Sequence, residues 1–200
     1  MTQQQPSNWN VPNILTVLRI IMVPIFLVVL FLNPHDAGWR LVAAGVFTLA
    51  ILTDLADGAI ARRWNLVTDF GKLWDPFADK TLTGAAFISL SILGELPWFF
   101  TVLILLREWG ITWLRAAVVK YGVMAAKSGG KLKTVVQSLA LILFLAGATW
   151  ESSPGWLQVV SWVLMWVALG LTLFTGFDYI KEALRMRARA KQEESSETAG

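Results

Sequence analysis

Apolar residues gather in six blocks along the chain, at roughly 14–32, 39–61, 77–93, 97–119, 134–150 and 156–180. Each is close to the length, about 20 residues, that crosses a bilayer as an α-helix. Polar punctuation separates them: Asn33-Pro34-His35-Asp36, the stretch 62–76, Gly94-Glu95-Leu96-Pro97, the stretch 120–133, and Glu151-Ser152-Ser153-Pro154-Gly155. Backbone immersed in lipid must satisfy its own hydrogen bonds, and a helix does so within one segment. The pattern predicts an all-α integral membrane protein with six transmembrane helices, the third and fifth the shortest. Pro24 inside the first block predicts a kink rather than a break. No Lys or Arg precedes that block and no small-x-small pattern follows it, so it reads as a span and not as a cleaved signal peptide.

Basic residues orient the bundle. Arg62, Arg63, Lys72, Lys120, Lys127, Lys131 and Lys133 fall in or beside the second and fourth connections, and Lys181, Arg185, Arg187, Arg189 and Lys191 follow the last block. The other three connections hold no Lys or Arg, with Arg40 just inside the second span. By the positive-inside rule the even connections and both termini are cytoplasmic, in a multi-pass protein of the cell membrane. Residues 1–187 form the membrane domain, and from Ala188 the polar run to Gly200 predicts a disordered tail.

Composition narrows the chemistry. The chain of 200 residues is 56% hydrophobic and 16% charged, below the roughly 25% charged of a soluble domain. It has no Cys, which excludes disulfides, thiolate metal sites and cysteine nucleophiles, and one His, His35, which excludes a multi-histidine metal site. Hard-cation chemistry through oxygen is what is left. The net charge of +3 is small, its placement matters more than its size, and no nucleic-acid partner is expected.

Against that background the segment from Asp54 to Asp79 stands out: Asp-x2-Asp-Gly-x2-Ala-Arg-x8-Gly-x3-Asp-x3-Asp. An Asp facing lipid at a helix centre costs about 2.5–3.5 kcal/mol on insertion scales, so four would cost roughly 10–14 kcal/mol. The group must face a wet, cation-bearing cavity. Asp54, Asp57, Gly58, Ala61 and Arg62 lie on one helical stripe, and Asp75 and Asp79 on one face at the start of the next span. Joined by a connection of about a dozen residues, the two acidic faces can converge on Mg²⁺ or Mn²⁺, with substrate phosphates completing the coordination. Gly58, Ala61 and Gly71 let a ligand approach the backbone, and Arg62 can fork onto a phosphate or a base edge. Asp75 before Pro76 equally fits an N-cap with Pro at the first helical position, and Asp69 fits a solvated loop.

A second group of polar residues lies in the later spans. Arg107-Glu108 falls in the middle of the fourth span, with Arg115 nearly on the face of Glu108. An Arg at that depth must point into the bundle, whether it pairs with Glu108 or meets a ligand. Ser128-Gly129-Gly130-Lys131-Leu132-Lys133-Thr134-Val135-Val136-Gln137 then enters the fifth span. Arg107, Arg115, Lys131 and Lys133 together suit a phosphorylated acceptor. The run is not a nucleotide-binding phosphate loop, because the Gly-x4-Gly-Lys-Ser/Thr spacing and the preceding strand are missing.

The aspartate pattern resembles in full the signature of the CDP-alcohol phosphotransferases, at Asp54, Asp57, Gly58, Ala61, Arg62, Gly71, Asp75 and Asp79. That resemblance implies displacement of CMP from a CDP-activated lipid by an alcohol, and a homodimer. It implies that Asp54, Asp57 and Asp75 hold a pair of divalent ions on the diphosphate. Asp79 would act as base on the acceptor hydroxyl while touching a metal, and Gly58, Ala61 and Arg62 would line the CMP pocket. Pro12-Asn13-x-Leu15-Thr16-x2-Arg19 is similar to the family's N-terminal motif, which puts Asn13 near the diphosphate, although Asn13 also fits a helix N-cap. Arg-Glu followed by Gly-Lys-x-Lys-Thr-x2-Gln is similar to the branch that uses CDP-diacylglycerol and sn-glycerol 3-phosphate. Phosphatidylglycerol or an inositol phosphate as acceptor keeps the same chemistry. A cation or proton transporter is the reading from another class, and the clustering of acids at one side of the membrane argues against it.

Overall fold

The computed structural model describes the backbone at 11–64, 69–118 and 128–197, and side chains at 14–53, 77, 80–118, 130 and 132–188. Among these residues the chain is all helical: α1 Val11–Leu32, α2 Ala37–Trp64, α3 Asp69–Ile92, α4 Trp98–Val118, α5 Ser128–Leu145 and α6 Gly155–Glu197. α1 packs on α2 and α3, α6 on α4 and α5, and α5 also meets α2 and α3. Phe26, Phe47, Phe87, Phe100 and Phe144 belong to one core cluster, each almost fully buried. The outside is apolar as well. Leu106, Trp113, Trp156 and Phe174 are each about two-thirds exposed, at 67%, 71%, 68% and 68%, alongside many Leu, Ile and Val. Water does not tolerate such a surface. Ile14–Leu32 and Gly155–Ala188 are long and apolar enough to cross a bilayer, and Ala37–Thr53, Lys80–Ile92 and Leu132–Leu145 are shorter apolar stretches.

Local chemistry explains the boundaries. The Asp36 carboxylate accepts from the Trp39 N–H at 2.9 Å and caps α2. α3 and α5 both end in a left-handed glycine, Gly94 at φ +75° and Gly147 at φ +76°. After each, the next N–H reaches back to the last helical turn (Glu95 to the Leu90 carbonyl at 3.0 Å, Ala148 to the Leu143 carbonyl at 3.0 Å). Gly147 is the reason α5 stops at Leu145 and not near residue 150. α1 runs through Pro24 as one helix.

Three boundaries differ from the reading by hydropathy. The stretch 62–76 is mostly helical, since α2 continues to Trp64 and α3 begins at Asp69, leaving only 65–68 between them. Asp69 therefore opens a helix instead of lying in a loop. Hydropathy ends a span where charges begin, but a helix in headgroup or water continues across them. For the same reason α6 runs beyond Ala188 to Glu197, through Lys, Gln, Glu and Ala with neither Gly nor Pro. At 1.5 Å per residue that helix is about 65 Å long, twice a hydrocarbon core.

The end of the bundle away from the aspartates is closed by one residue. Arg40 is fully buried, and all five of its N–H groups are engaged. Nη1 and Nη2 fork onto the Glu95 carboxylate at 2.6 Å each, Nε and Nη2 reach the Leu145 and Phe144 carbonyls at 2.8 Å, and Nη1 reaches the Pro34 carbonyl at 3.3 Å. Trp150 donates to the same carboxylate at 3.2 Å and lies 5.3 Å from the guanidinium carbon. The clasp ties α2 to the α3–α4 turn and the end of α5. Replacing Glu95 by Gln removes the charge while keeping the shape, and should cost about 2 kcal/mol, the value of a charge-assisted hydrogen bond. Thermal unfolding in detergent should show the loss, and an unchanged melting temperature would mean the clasp is ornamental.

Candidate active site

The aspartate segment is divided between two consecutive helices. Asp54, Asp57, Gly58, Ala61 and Arg62 ride the last turns of α2, and Gly71, Asp75 and Asp79 the first half of α3. Residues 65–68 can span at most roughly 18 Å from Trp64 to Asp69, and α2 and α3 are in contact. Asp75 sits inside a helix that begins at Asp69, so its backbone position is not an N-cap. The side chains of these eight residues, and those of Asn13 and Lys131, lie outside the described residues. Asn13 is in the first turn of α1, and Lys131 in that of α5. Among the described residues no three acidic or His side chains form a metal-binding group.

The residues flanking that segment are described, and they build a polar centre in an apolar bundle. Lys80, directly after Asp79, donates to the Thr112 hydroxyl on α4 and lies 5.8 Å from the Trp109 ring. Thr112 passes its own proton to the Glu108 carbonyl at 2.9 Å. One turn of α4 is thereby fastened to the α3 turn that carries Asp79. Glu108 binds two cations from different helices: Arg107 Nη1 at 3.0 Å and the Lys133 ammonium of α5. Lys133 is buried, with only 5% of its surface exposed, so an ion pair is required there. Gln137, one turn further along α5, is also buried, and its Oε1 has no partner among the described residues.

α6 supplies the opposite wall. Arg107 Nη2 donates to the Thr175 hydroxyl at 2.6 Å. The Tyr179 ring lies under both arginines, 5.8 Å from the Arg107 guanidinium carbon and 4.5 Å from that of Arg115. Arg107, Arg115 and Lys133 therefore gather around one carboxylate and one aromatic ring, with Lys80 next to them. Such a group suits an anion carrying two charges, because guanidinium and ammonium donors lie close together and, among the described residues, Glu108 is the one carboxylate paired with Arg107 and Lys133.

The sequence pattern singles out Arg107, Arg115 and Lys133 but not Lys80, Glu108 as a hub, or Thr175 and Tyr179 of α6. A signal for α6 exists: Thr172, Thr175, Gly176 and Tyr179 fall at i, i+3, i+4 and i+7, a small and polar stripe in an apolar helix. Gln137 carries the same kind of signal, one turn from Lys133.

Comparison with known proteins shows the family. The profile described as CDP-alcohol phosphatidyltransferase matches residues 9–174. A protein of Mycobacterium tuberculosis (strain ATCC 25618 / H37Rv) named "Probable phosphatidylglycerophosphate synthase" is 50% identical over 177 residues, covering 88% of this chain and 82% of that one. Two proteins named "CDP-diacylglycerol--glycerol-3-phosphate 3-phosphatidyltransferase" are also similar. That of Rickettsia typhi is 39% identical over 86% of this chain and 96% of its own length. That of Bacillus subtilis is 35% identical over 87% and 95%.

Proposed function

The chain belongs to the CDP-alcohol phosphatidyltransferase family, and from that premise we propose that it transfers the phosphatidyl group of CDP-diacylglycerol to sn-glycerol 3-phosphate. The products are phosphatidylglycerophosphate and CMP. The observation that carries the choice of acceptor is the gathering of Arg107, Arg115 and Lys133 one helix away from Asp79. A phosphate monoester with two negative charges suits that group. Phosphatidylglycerol offers no such dianion.

In this reading the enzyme works as a six-span membrane protein with both termini and the active site on the cytoplasmic side, as a homodimer. Asp54, Asp57, Asp75 and Asp79 offer hard oxygen donors of the kind two Mg²⁺ (or Mn²⁺) ions need, and the short link between α2 and α3, which are in contact, allows them to meet. Held by these carboxylates, such ions would supply charge neutralisation and polarisation at the diphosphate. Gly58, Ala61, Gly71 and Arg62 line the CMP side, with Asn13 close to the diphosphate. Arg107, Arg115, Lys131 and Lys133 hold the acceptor phosphate and aim its free primary hydroxyl at the lipid-bearing phosphorus. Asp79 takes the hydroxyl proton as the new O–P bond forms, and the bond from that phosphorus to CMP breaks. Most of the catalytic gain is then positioning and charge neutralisation.

Purified protein with CDP-diacylglycerol, Mg²⁺ and a panel of acceptors tests the proposal, products being read by mass spectrometry. Phosphatidylglycerophosphate should form with glycerol 3-phosphate alone. Product with phosphatidylglycerol or inositol phosphate instead would keep the aspartate chemistry and overturn the acceptor assignment. Absence of CMP release with any acceptor, in folded protein, would overturn both.

A further inference from the structure

We propose that Thr175 and Gly176 of α6 are positioning residues for Arg107, so that α6 sets the affinity for the phosphorylated acceptor. This rests on the assignment of Arg107 to the acceptor phosphate. Arg107 projects from the middle of α4, and its guanidinium has five N–H groups. Two of them are engaged among the described residues: one on Nη1 with Glu108 at 3.0 Å, one on Nη2 with Thr175 at 2.6 Å. Nε is buried and has no partner among the described residues. Among the described residues the protein thus holds the head by two points, and one further N–H on each of Nη1 and Nη2 has no partner.

The Thr175 hydroxyl is oriented for this task. Its proton has the Leu171 carbonyl at 2.7 Å and the Thr172 carbonyl at 3.2 Å to donate to, which leaves its lone pairs for Arg107. Gly176, the next residue, makes room for the stem of the same side chain. A Cβ placed on Gly176 would lie 3.0 Å from Arg107 Cγ and 3.3 Å from Nε. Cγ is near the root of the side chain, so displacing it by a few tenths of an ångström swings the guanidinium further. An open apolar groove of about 540 Å³ between α4 and α6 touches both Arg107 and Gly176.

Steady-state kinetics of the full-length enzyme in detergent micelles, varying each substrate at saturation of the other, test the proposal. Thr175→Val and Gly176→Ala should each raise KM for glycerol 3-phosphate about tenfold, the effect of one charge-assisted hydrogen bond. KM for CDP-diacylglycerol should stay within about twofold. Thr175→Ser keeps the accepting oxygen and should restore the acceptor KM. In an Arg107→Ala background Thr175→Val should add nothing, since its partner is gone; this double-mutant cycle also serves if Gly176→Ala folds poorly. Unchanged acceptor KM in Thr175→Val and Gly176→Ala, with a raised KM in Arg107→Ala, would overturn the proposal and leave the acceptor assignment standing. Unchanged acceptor KM in Arg107→Ala itself would overturn both. A purely structural role would raise both KM values or lower the melting temperature, and would also overturn it.

Discussion

Asp57→Asn is expected to reduce CMP release by on the order of 10³–10⁴-fold, equivalent to about 4–5.5 kcal/mol of transition-state stabilisation. The substitution is nearly isosteric, so helix α2 and the fold should be retained. What changes is charge: an amide is a poor ligand for a hard divalent ion. In the proposed site the aspartates answer the positive charge of two ions, and the ions answer the diphosphate. Losing one carboxylate weakens metal binding and so the neutralisation on which the leaving group depends. The measurement is turnover at rising Mg²⁺, beside thermal unfolding of the same preparation. A folded variant with little turnover at any Mg²⁺ concentration, or one rescued only at much higher Mg²⁺, supports the assignment. Wild-type turnover at ordinary Mg²⁺ would remove Asp57 from the metal site. Chelation of divalent ions should silence the wild-type enzyme just as fully, and re-addition of Mg²⁺ or Mn²⁺ should restore it.

The six helices were legible because hydropathy period and block length report burial in a bilayer directly. Turn chemistry placed the boundary at Gly94, where a left-handed residue is needed, but at Gly147 the apolar run hides the stop. The helical ends facing water were read too short, since Arg62 and Lys72 break a hydropathy block without breaking a helix. The aspartate segment stands out in the sequence because every carboxylate in it is costly in an apolar setting, while its side chains lie outside the described residues. The rest of the centre was harder to see. Glu108 is a hub only once Lys133 of α5 is brought beside it, across 25 residues of chain. Thr175 and Gly176 are ordinary membrane-helix residues until Arg107 is seen lying on them. Arg40 and Glu95 are the same case on the far side: a pairing made by topology, 55 positions apart. Local patterns reveal costly residues, whereas the partners that make them affordable come from the fold.

Arg107→Ala should raise KM for glycerol 3-phosphate by about 100-fold, roughly 3 kcal/mol. CDP-diacylglycerol KM should change by less than about threefold. The magnitude follows from losing a planar fork that can meet a phosphate bidentately, in a bundle interior where charge-assisted bonds are strong. A further loss comes through Glu108. In the wild type that carboxylate is shared between Arg107 and Lys133. With Arg107 gone it pairs with Lys133 alone and draws that ammonium away from the acceptor, so the variant loses more than one ligand. Arg107→Lys separates these contributions: it keeps a cation for Glu108 but cannot fork, and should recover only part of the acceptor affinity. If Arg107→Lys and Arg107→Ala behave alike, geometry matters and net charge does not. If both variants lose affinity for the two substrates equally, Arg107 is a structural partner of Glu108 and Thr175, and the acceptor phosphate must be held elsewhere.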